Sequence, residues 1–136
     1  MARLDVGIVR AFHHDWTRDY VPPEIASMAP FDRILVDAPC SNTGVMRRRV
    51  DVRWRLQPAD FRRMQRRQLQ MLHALVPLLK PKGALVYSTC SLEPEENEQV
   101  AQQLLAFPLC MEQEKSSLPF RDAIDGSFAA RFVRSA

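Results

Sequence analysis

The amino-acid sequence lacks several features that mark large classes of protein. No apolar run approaches the ~20 residues that cross a membrane, and the N-terminus has no apolar centre or cleavage site of a secretory signal. The three cysteines form neither an even set nor a CxxC pair, which argues against a disulfide framework and against a metal site. The four glycines contain no GxG pattern, so no glycine-rich cofactor loop is evident. We therefore expect the 136 residues to form one domain of a soluble, cytoplasmic protein without a metal.

Two stretches of the sequence share one design, an apolar run that ends in a cysteine. They are FDRILVDAPCSNTG at residues 31–44 and ALVYSTCS at residues 84–91. The first run is rich in Ile, Leu and Val without clean alternation, which is typical of a parallel strand covered on both faces. A long helical pattern that begins at Pro58 joins the two runs. Such a crossover makes the strands parallel and brings Cys40 and Cys90 to the same edge of an α/β sheet.

The ends of these two strands are the candidate site. Pro39 fixes its own φ and biases the residue before it towards extended geometry, so the backbone between Asp37 and Cys40 is predicted to be stiff. A carboxylate and a thiol held at the carboxyl end of a strand indicate a ligand-contacting site. Cys90 precedes an acid-rich helical start at residues 95–98. There the helix dipole would lower the pKa of the thiol, and the glutamates would oppose that effect.

Shorter patterns predict the remaining elements. Residues 7–12, GIVRAF, indicate a short buried strand, and residues 109–112 and 128–133 indicate two more. The helix between the two cysteine-bearing runs is expected to end at residues 81–83. Asp15 follows the first of these strands, where an open parallel sheet binds its ligands. The alternative is that Asp15 is a loop acid that turns the chain.

Basic residues are concentrated in one segment. Residues 47–67 hold nine arginines against two aspartates, a net charge of +7, whereas the whole chain carries +3. A charge run is often only a solvated face. Arginine rather than lysine, interleaved with tryptophan and placed directly after the first cysteine, favours instead a phosphate-rich nucleic-acid partner. The residues that this interpretation selects are Arg47, Arg48, Arg49, Arg53 and Trp54.

Three motifs together resemble one family. DAPCSNTG at residues 37–44, STCSLEPEENE at 88–98 and DGSFAARF at 125–132 are similar, in order and spacing, to motifs of the Sun (Fmu) family of RNA cytosine-5 methyltransferases. That family includes bacterial enzymes that modify small-subunit ribosomal RNA. The resemblance implies a Rossmann-like, S-adenosylmethionine-dependent methyltransferase domain with a mostly parallel sheet and a C-terminal antiparallel strand. Asn42 stands where the family usually has glycine, and asparagine tolerates the left-handed geometry of such a turn.

The resemblance also implies roles for individual residues. Cys90 would be the nucleophile that adds to carbon 6 of cytosine, so that carbon 5 can attack the methyl group of S-adenosylmethionine. Cys40 would assist release of the methylated base, and Asp37 would hydrogen-bond the pyrimidine edge. Asp15, Asp37 and Pro39 would contact the cofactor. The arginine segment would lie along the backbone of a ribosomal RNA.

The family's glycine-rich cofactor loop and first strands belong before the matching region, and these 136 residues contain neither. We therefore expect one partial catalytic domain over residues 1–136, with sheet edges left exposed or completed by an N-terminal half on another chain. Little cofactor binding or activity is expected from the chain alone. The alternatives are a truncated, inactive RNA-binding remnant, one half of a split enzyme, and an unrelated α/β module whose thiols are structural.

Overall fold

The structure is a computed structural model that describes residues 7–18 and 20–136. Residues 1–6, on which the expectation of no secretory signal partly rests, lie outside the described residues. In these residues four strands form one sheet, accompanied by five helices and two 3-10 turns. The strands are Phe31–Asp37 (β1), Leu79–Thr89 (β2), Leu109–Ser117 (β3) and Ser127–Arg134 (β4). The helices are Pro23–Ala26 (α1), Val52–Arg55 (α2), Pro58–Leu75 (α3), Glu98–Leu104 (α4) and Pro119–Asp122 (α5), and the 3-10 turns are Thr43–Val45 and Val76–Leu78.

The order of the strands in the sheet is β1-β2-β4-β3. Strands β1 and β2 are parallel, with Asp37 opposite Ser88 at their carboxyl ends. Strand β4 is antiparallel to both of its neighbours. The α/β class, the parallel pair and the antiparallel C-terminal strand are thus confirmed. The sheet of the described residues is mixed rather than mostly parallel, because both pairs made by β4 are antiparallel.

Helix α3 is the crossover between the two parallel strands. Pro58 begins it, and the carboxylate of Asp60 accepts a hydrogen bond from the backbone N–H of Gln57 at 3.0 Å, as in a capping box. The helix ends at Leu75, earlier than the predicted end at residues 81–83. A 3-10 turn and the start of β2 take up the residues between.

The core lies between one face of the sheet and helices α3 and α4. Alternate residues of the strands point into it because successive side chains of a strand face opposite sides. The largest fully buried apolar side chains are Tyr87, Phe128, Phe132, Leu72, Leu79, Leu85 and Leu104. This packing fixes the carboxyl ends of β1 and β2 against each other.

The strand predicted at residues 7–12 is absent from the structure. These residues are in irregular backbone, and the side chain of Ile8 is 96% exposed. The reason is that an apolar run forms a strand only when a neighbouring strand supplies hydrogen bonds, and the described part of the chain offers none there. Within that part, β1 pairs with β2 alone and is an edge strand, with Leu35 72% exposed. None of the helices described is long and apolar enough to cross a membrane.

Candidate active site

The two cysteines meet where the parallel strands end. The Sγ atoms of Cys40 and Cys90 are 2.9 Å apart, in hydrogen-bond contact. Cys40 is 8% exposed and Cys90 is half-buried. The backbone N–H of Ala38 bonds the carbonyl of Ser88 at 2.9 Å, which extends the strand pairing up to the cysteine loops. The predicted convergence of the two thiols at one edge of the sheet is therefore confirmed.

The two thiols differ in acidity. The hydrogen bond from Cys40 lowers the pKa of Cys90 to about 7, against the opposing effects of burial and of the nearby Asp37 and Glu96. The pKa of Cys40 is raised far above its usual range, first by that same hydrogen bond and then by burial. As the pH rises through about 7 the pair loses its first proton, and the hydrogen bond from Cys40 favours Cys90 as the sulfur that becomes the thiolate. The helix dipole proposed from the sequence is not the cause, because α4 begins only at Glu98.

This asymmetry predicts a pH dependence for alkylation by iodoacetamide. Thiolate reacts and thiol does not, so the rate at Cys90 should rise with pH through a midpoint near 7. Cys40→Ala removes the hydrogen bond that stabilises the thiolate, and the midpoint should move to higher pH. The exposed Cys110 is replaced by serine in both proteins to remove its background. Mass spectrometry of the Cys90 peptide gives the rates, and equal midpoints in the two proteins would contradict the assignment.

Asn42 occupies the tight turn between the first cysteine and the 3-10 turn. Its φ of 65° is left-handed, a geometry that asparagine tolerates. Its side chain also contacts both cysteine loops. The amide Nδ2 donates to the carbonyl of Cys40 at 3.0 Å, and the Cys90 thiol lies 3.0 Å from the amide Oδ1. The contact of Asn42 with Cys90 is one that sequence reasoning did not find.

The three sequence motifs meet at Gly44. Its N–H donates to the carbonyl of Cys90 at 3.0 Å, and its carbonyl accepts from the N–H of Gly126 at 2.8 Å. A Cβ on Gly44 would lie 2.7 Å from the carbonyl carbon of Gly126 and 2.9 Å from the carbonyl oxygen of Cys90. Only glycine fits this close approach of three backbones.

A buried carboxyl group lies directly behind the cysteines. Glu96 is 0% exposed and accepts hydrogen bonds from the backbone N–H of Ser41 at 2.9 Å, Nε2 of Gln68 at 3.1 Å and Oγ of Ser91 at 3.2 Å. The sequence placed Glu96 in an acidic helical start and gave it no contact with the site. The signal that could have found it is the four-residue spacing of Glu96, Val100 and Leu104, which puts Glu96, in the turn before α4, in line with the buried face of that helix.

The residues predicted to contact the cofactor do not all converge. Asp37 is exposed at the end of β1 and lines a cavity of about 380 Å³ together with Trp16 and Leu35. Pro39 is half-buried, and its carbonyl accepts from Gln68 at 3.0 Å. The carboxylate of Asp15 accepts from the hydroxyl of Thr17 at 2.7 Å and from its N–H at 3.1 Å. These bonds lower the pKa of Asp15 and agree with the alternative of a loop acid that turns the chain.

The arginines predicted to bind RNA begin next to the cysteines. Arg47 and Arg48 pair with Asp125 of the third motif at 3.5 and 2.9 Å. Arg49 and Cys40 line a cleft of about 220 Å³. Arg53 and Trp54 lie on α2, and Trp54 is 82% exposed. The segment therefore forms a basic surface that starts at Cys40 and leads away from it along α2.

Comparison with solved structures defines the class of protein. A methyltransferase homolog protein from Pyrococcus horikoshii is 30% identical with a TM-score of 0.69, over 80% of this chain and 41% of that one. NSun6 from Pyrococcus horikoshii, solved with the S-adenosylmethionine analogue SFG, has a TM-score of 0.84 at 24% identity, over 99% of this chain and 37% of that one. The fold is the Rossmann-like fold of S-adenosylmethionine-dependent methyltransferases.

The family follows from the sequence itself. The chain belongs to the 16S rRNA methyltransferase RsmB/F family, whose family model matches residues 1–133. Ribosomal RNA small subunit methyltransferase B of Proteus mirabilis is 42% identical over 114 residues, which are 80% of this chain and 26% of the relative. The protein of the same name from Pasteurella multocida is 45% identical over 107 residues, 79% of this chain and 23% of the relative. The chain spans about a quarter of the length of these curated relatives.

Proposed function

We propose that these residues are the catalytic part of a cytosine-5 methyltransferase that acts on ribosomal RNA in the cytoplasm. The observation that carries the proposal is the contact between Cys40 and Cys90 at 2.9 Å. Family membership supports an RNA methyltransferase, and the difference in acidity between the two thiols supports a covalent route. A nucleophile and a proton-carrying partner are both needed for addition to a pyrimidine ring and for the later elimination.

Cys90 is the nucleophile in this proposal. Its thiolate adds to carbon 6 of cytosine, and the electrons of the 5,6 double bond move to carbon 5, which becomes enamine-like. The pKa of about 7 leaves a substantial fraction of Cys90 as thiolate at neutral pH while keeping it a better nucleophile than a more acidic thiol. In this proposal Asp37, which is exposed at the end of the adjacent strand, hydrogen-bonds the pyrimidine edge.

Cys40 acts in release. While Cys90 is a thiolate, the thiol of Cys40 donates to it and holds its own proton tightly. Once the sulfur of Cys90 is bonded to carbon, that acceptor charge is gone, so the pKa of Cys40 falls and its proton can leave to water. The Cys40 thiolate then removes the proton from carbon 5, the double bond reforms, and Cys90 departs as the thiolate.

S-adenosylmethionine is the proposed cofactor, and when bound it supplies an electrophilic methyl group on a sulfonium ion. The cavity beside Asp37 is lined by apolar side chains together with Asp37 and Arg33, and in this proposal the Asp37 carboxylate complements the positive charge of the cofactor. Asp37, Asp15 and Pro39 are the residues proposed to hold it. These 136 residues contain no GxG loop, so we propose that a further segment completes the cofactor site, in the same chain or in another.

The RNA partner is proposed from the basic surface beside Cys40. Guanidinium groups pair with phosphates, and an exposed indole such as that of Trp54 is a platform for an unstacked base. Arg47, Arg48, Arg49, Arg53 and Trp54 are the proposed contacts. An inactive RNA-binding remnant would keep this surface as well, so the two functions differ only in the chemistry of the cysteines.

A trapping experiment tests the function. The chain is incubated with S-adenosylmethionine and a ribosomal RNA oligonucleotide carrying 5-fluorocytosine, alone and with the cofactor-binding part of a full-length family member. We expect a complex that survives a denaturing gel when that part is supplied, and little without it, because the fluorine at carbon 5 blocks release. The same RNA with uridine at the target is the control. Binding without a covalent complex under either condition would favour the inactive remnant.

A further inference from the structure

We propose that Glu96 is a positioning residue that holds the two cysteine loops in register. The inference rests on the proposed function, since it gives the contact of the two thiols a purpose. Glu96 touches neither the thiols nor any substrate surface. It is buried behind them and bonds to the residue that follows each cysteine, Ser41 and Ser91.

On the side of Cys40, one carboxylate oxygen of Glu96 accepts both hydrogen bonds. Oε2 accepts from the N–H of Ser41 at 2.9 Å and from Nε2 of Gln68 at 3.1 Å. The same Nε2 donates to the carbonyl of Pro39 at 3.0 Å. The residues before and after Cys40 are therefore both tied to the Gln68–Glu96 pair, which fixes the direction of the Cys40 side chain.

On the side of Cys90, the other oxygen is used. Oε1 of Glu96 accepts from the hydroxyl of Ser91 at 3.2 Å. The next residue, Asn97, accepts from the hydroxyl of Thr89 at 2.6 Å and donates to the carbonyl of Ser91 at 2.9 Å. Cys90 is thus flanked by contacts to two consecutive residues. Each oxygen of one carboxyl group serves one loop, and so Glu96 bridges the ends of two strands.

The charge of Glu96 does not explain its place. A negative charge there raises the pKa of Cys90 and so opposes the thiolate. Together with burial it also raises the pKa of Tyr87, whose hydroxyl donates to the carbonyl of Glu96. The charge of Glu96 thus opposes the thiolate of Cys90. The burial of Glu96 beside that thiolate is therefore explained by the positions of its oxygens and not by its charge. Its two acceptor oxygens span the gap between the loops.

Binding of phenylarsine oxide tests the geometry directly. Its arsenic atom forms bonds to two sulfur atoms and releases its oxygen as water, so it binds only where two thiols lie within reach of one arsenic atom. Binding is measured by calorimetry on the 136-residue chain in a Cys110→Ser background, without RNA or cofactor. Glu96→Ala should weaken binding at least about tenfold. Glu96→Gln keeps the length and one acceptor oxygen, and its amide can donate to Ser91, so binding should return to within about threefold of the unsubstituted chain. Glu98→Ala, which removes an exposed carboxylate two residues further along the chain, is the matched control and should change nothing.

Glu96→Asp keeps the charge and cannot reach both loops, so it should bind the arsenical weakly while retaining the circular dichroism of the unsubstituted chain. It decides the question if Glu96→Ala fails to fold. Unchanged binding in Glu96→Asp, or loss in Glu96→Gln equal to that in Glu96→Asp, would overturn the positioning role. The readout needs no methyl transfer. A failure here together with a positive 5-fluorocytosine trap would therefore reject the role of Glu96 and leave the proposed function standing.

Discussion

Cys90→Ala is expected to abolish the covalent complex with 5-fluorocytosine RNA, by at least about a thousandfold in its rate of formation. The bond to carbon 6 is made by the sulfur of residue 90, and the neighbouring thiol cannot replace it. Cys40 is buried, and burial raises its pKa even when the hydrogen bond with Cys90 is absent. The measurement is the yield of RNA that remains attached to protein on a denaturing gel, with the cofactor-binding part of a family member supplied.

Cys40→Ala is expected to give the opposite pattern. Addition at carbon 6 should still occur, at a lower rate at neutral pH because Cys90 loses the hydrogen bond that acidifies it. Release should fail, so that even ordinary cytosine RNA accumulates as a covalent complex. Cys110→Ala removes a thiol exposed on β3 and serves as the control. A complex that persists in Cys90→Ala and disappears in Cys40→Ala would show that Cys40 is the nucleophile and that Cys90 acts in release.

Gly44→Ala is expected to destabilise the fold by about 3 kcal/mol, at the upper end of what overpacking costs. The added methyl group would meet backbone atoms of Gly126 and Cys90. Unlike a side chain, these backbone atoms cannot make room by rotating to another rotamer. To make room, the loop of the first motif must separate from the loop of the third, with loss of the 2.8 Å hydrogen bond between Gly126 and Gly44. Urea unfolding followed by circular dichroism measures the change.

Gly7→Ala is the matched control for this substitution. A Cβ at Gly7 meets no atom within 4 Å, so its effect should stay within about 0.5 kcal/mol. Equal stability of the Gly44→Ala and Gly7→Ala chains would show that the close approach of the three motifs does not contribute to folding. A loss confined to Gly44→Ala would identify the junction as a structural requirement of the site.

The convergence of Cys40 and Cys90 could be predicted because it follows from two local signals and one general rule. Each apolar run marks a strand, the helix between them makes a crossover, and crossovers give parallel neighbours whose carboxyl ends meet. The start of β2 could not be predicted in the same way. Residues 81–83, Pro-Lys-Gly, look like a turn in the sequence. The structure accommodates them as an irregularity in the pairing between β1 and β2, with Lys82 at a φ of 61°.

The burial of Glu96 and the absence of a strand at residues 7–12 could not be predicted for a different reason. Whether a carboxylate is solvated or buried depends on donors from distant segments, here Ser41 and Gln68, and no local pattern specifies them. Whether GIVRAF becomes a strand depends on a neighbouring strand, which the described residues do not provide. Composition and periodicity describe a segment by itself, and both features are properties of pairs of segments.

Strand β1 is one of the two edge strands of the sheet in the described part of the chain. An edge presents N–H and C=O groups to which a strand of another copy can add. On β1 the apolar residues 34–36 are flanked by Asp32, Arg33 and Asp37, and charges in these positions are gatekeepers against stacking of identical strands. The apolar run between them is shorter than the roughly six residues that a steric zipper requires. The edge can thus accept a complementary strand while it resists aggregation with copies of itself.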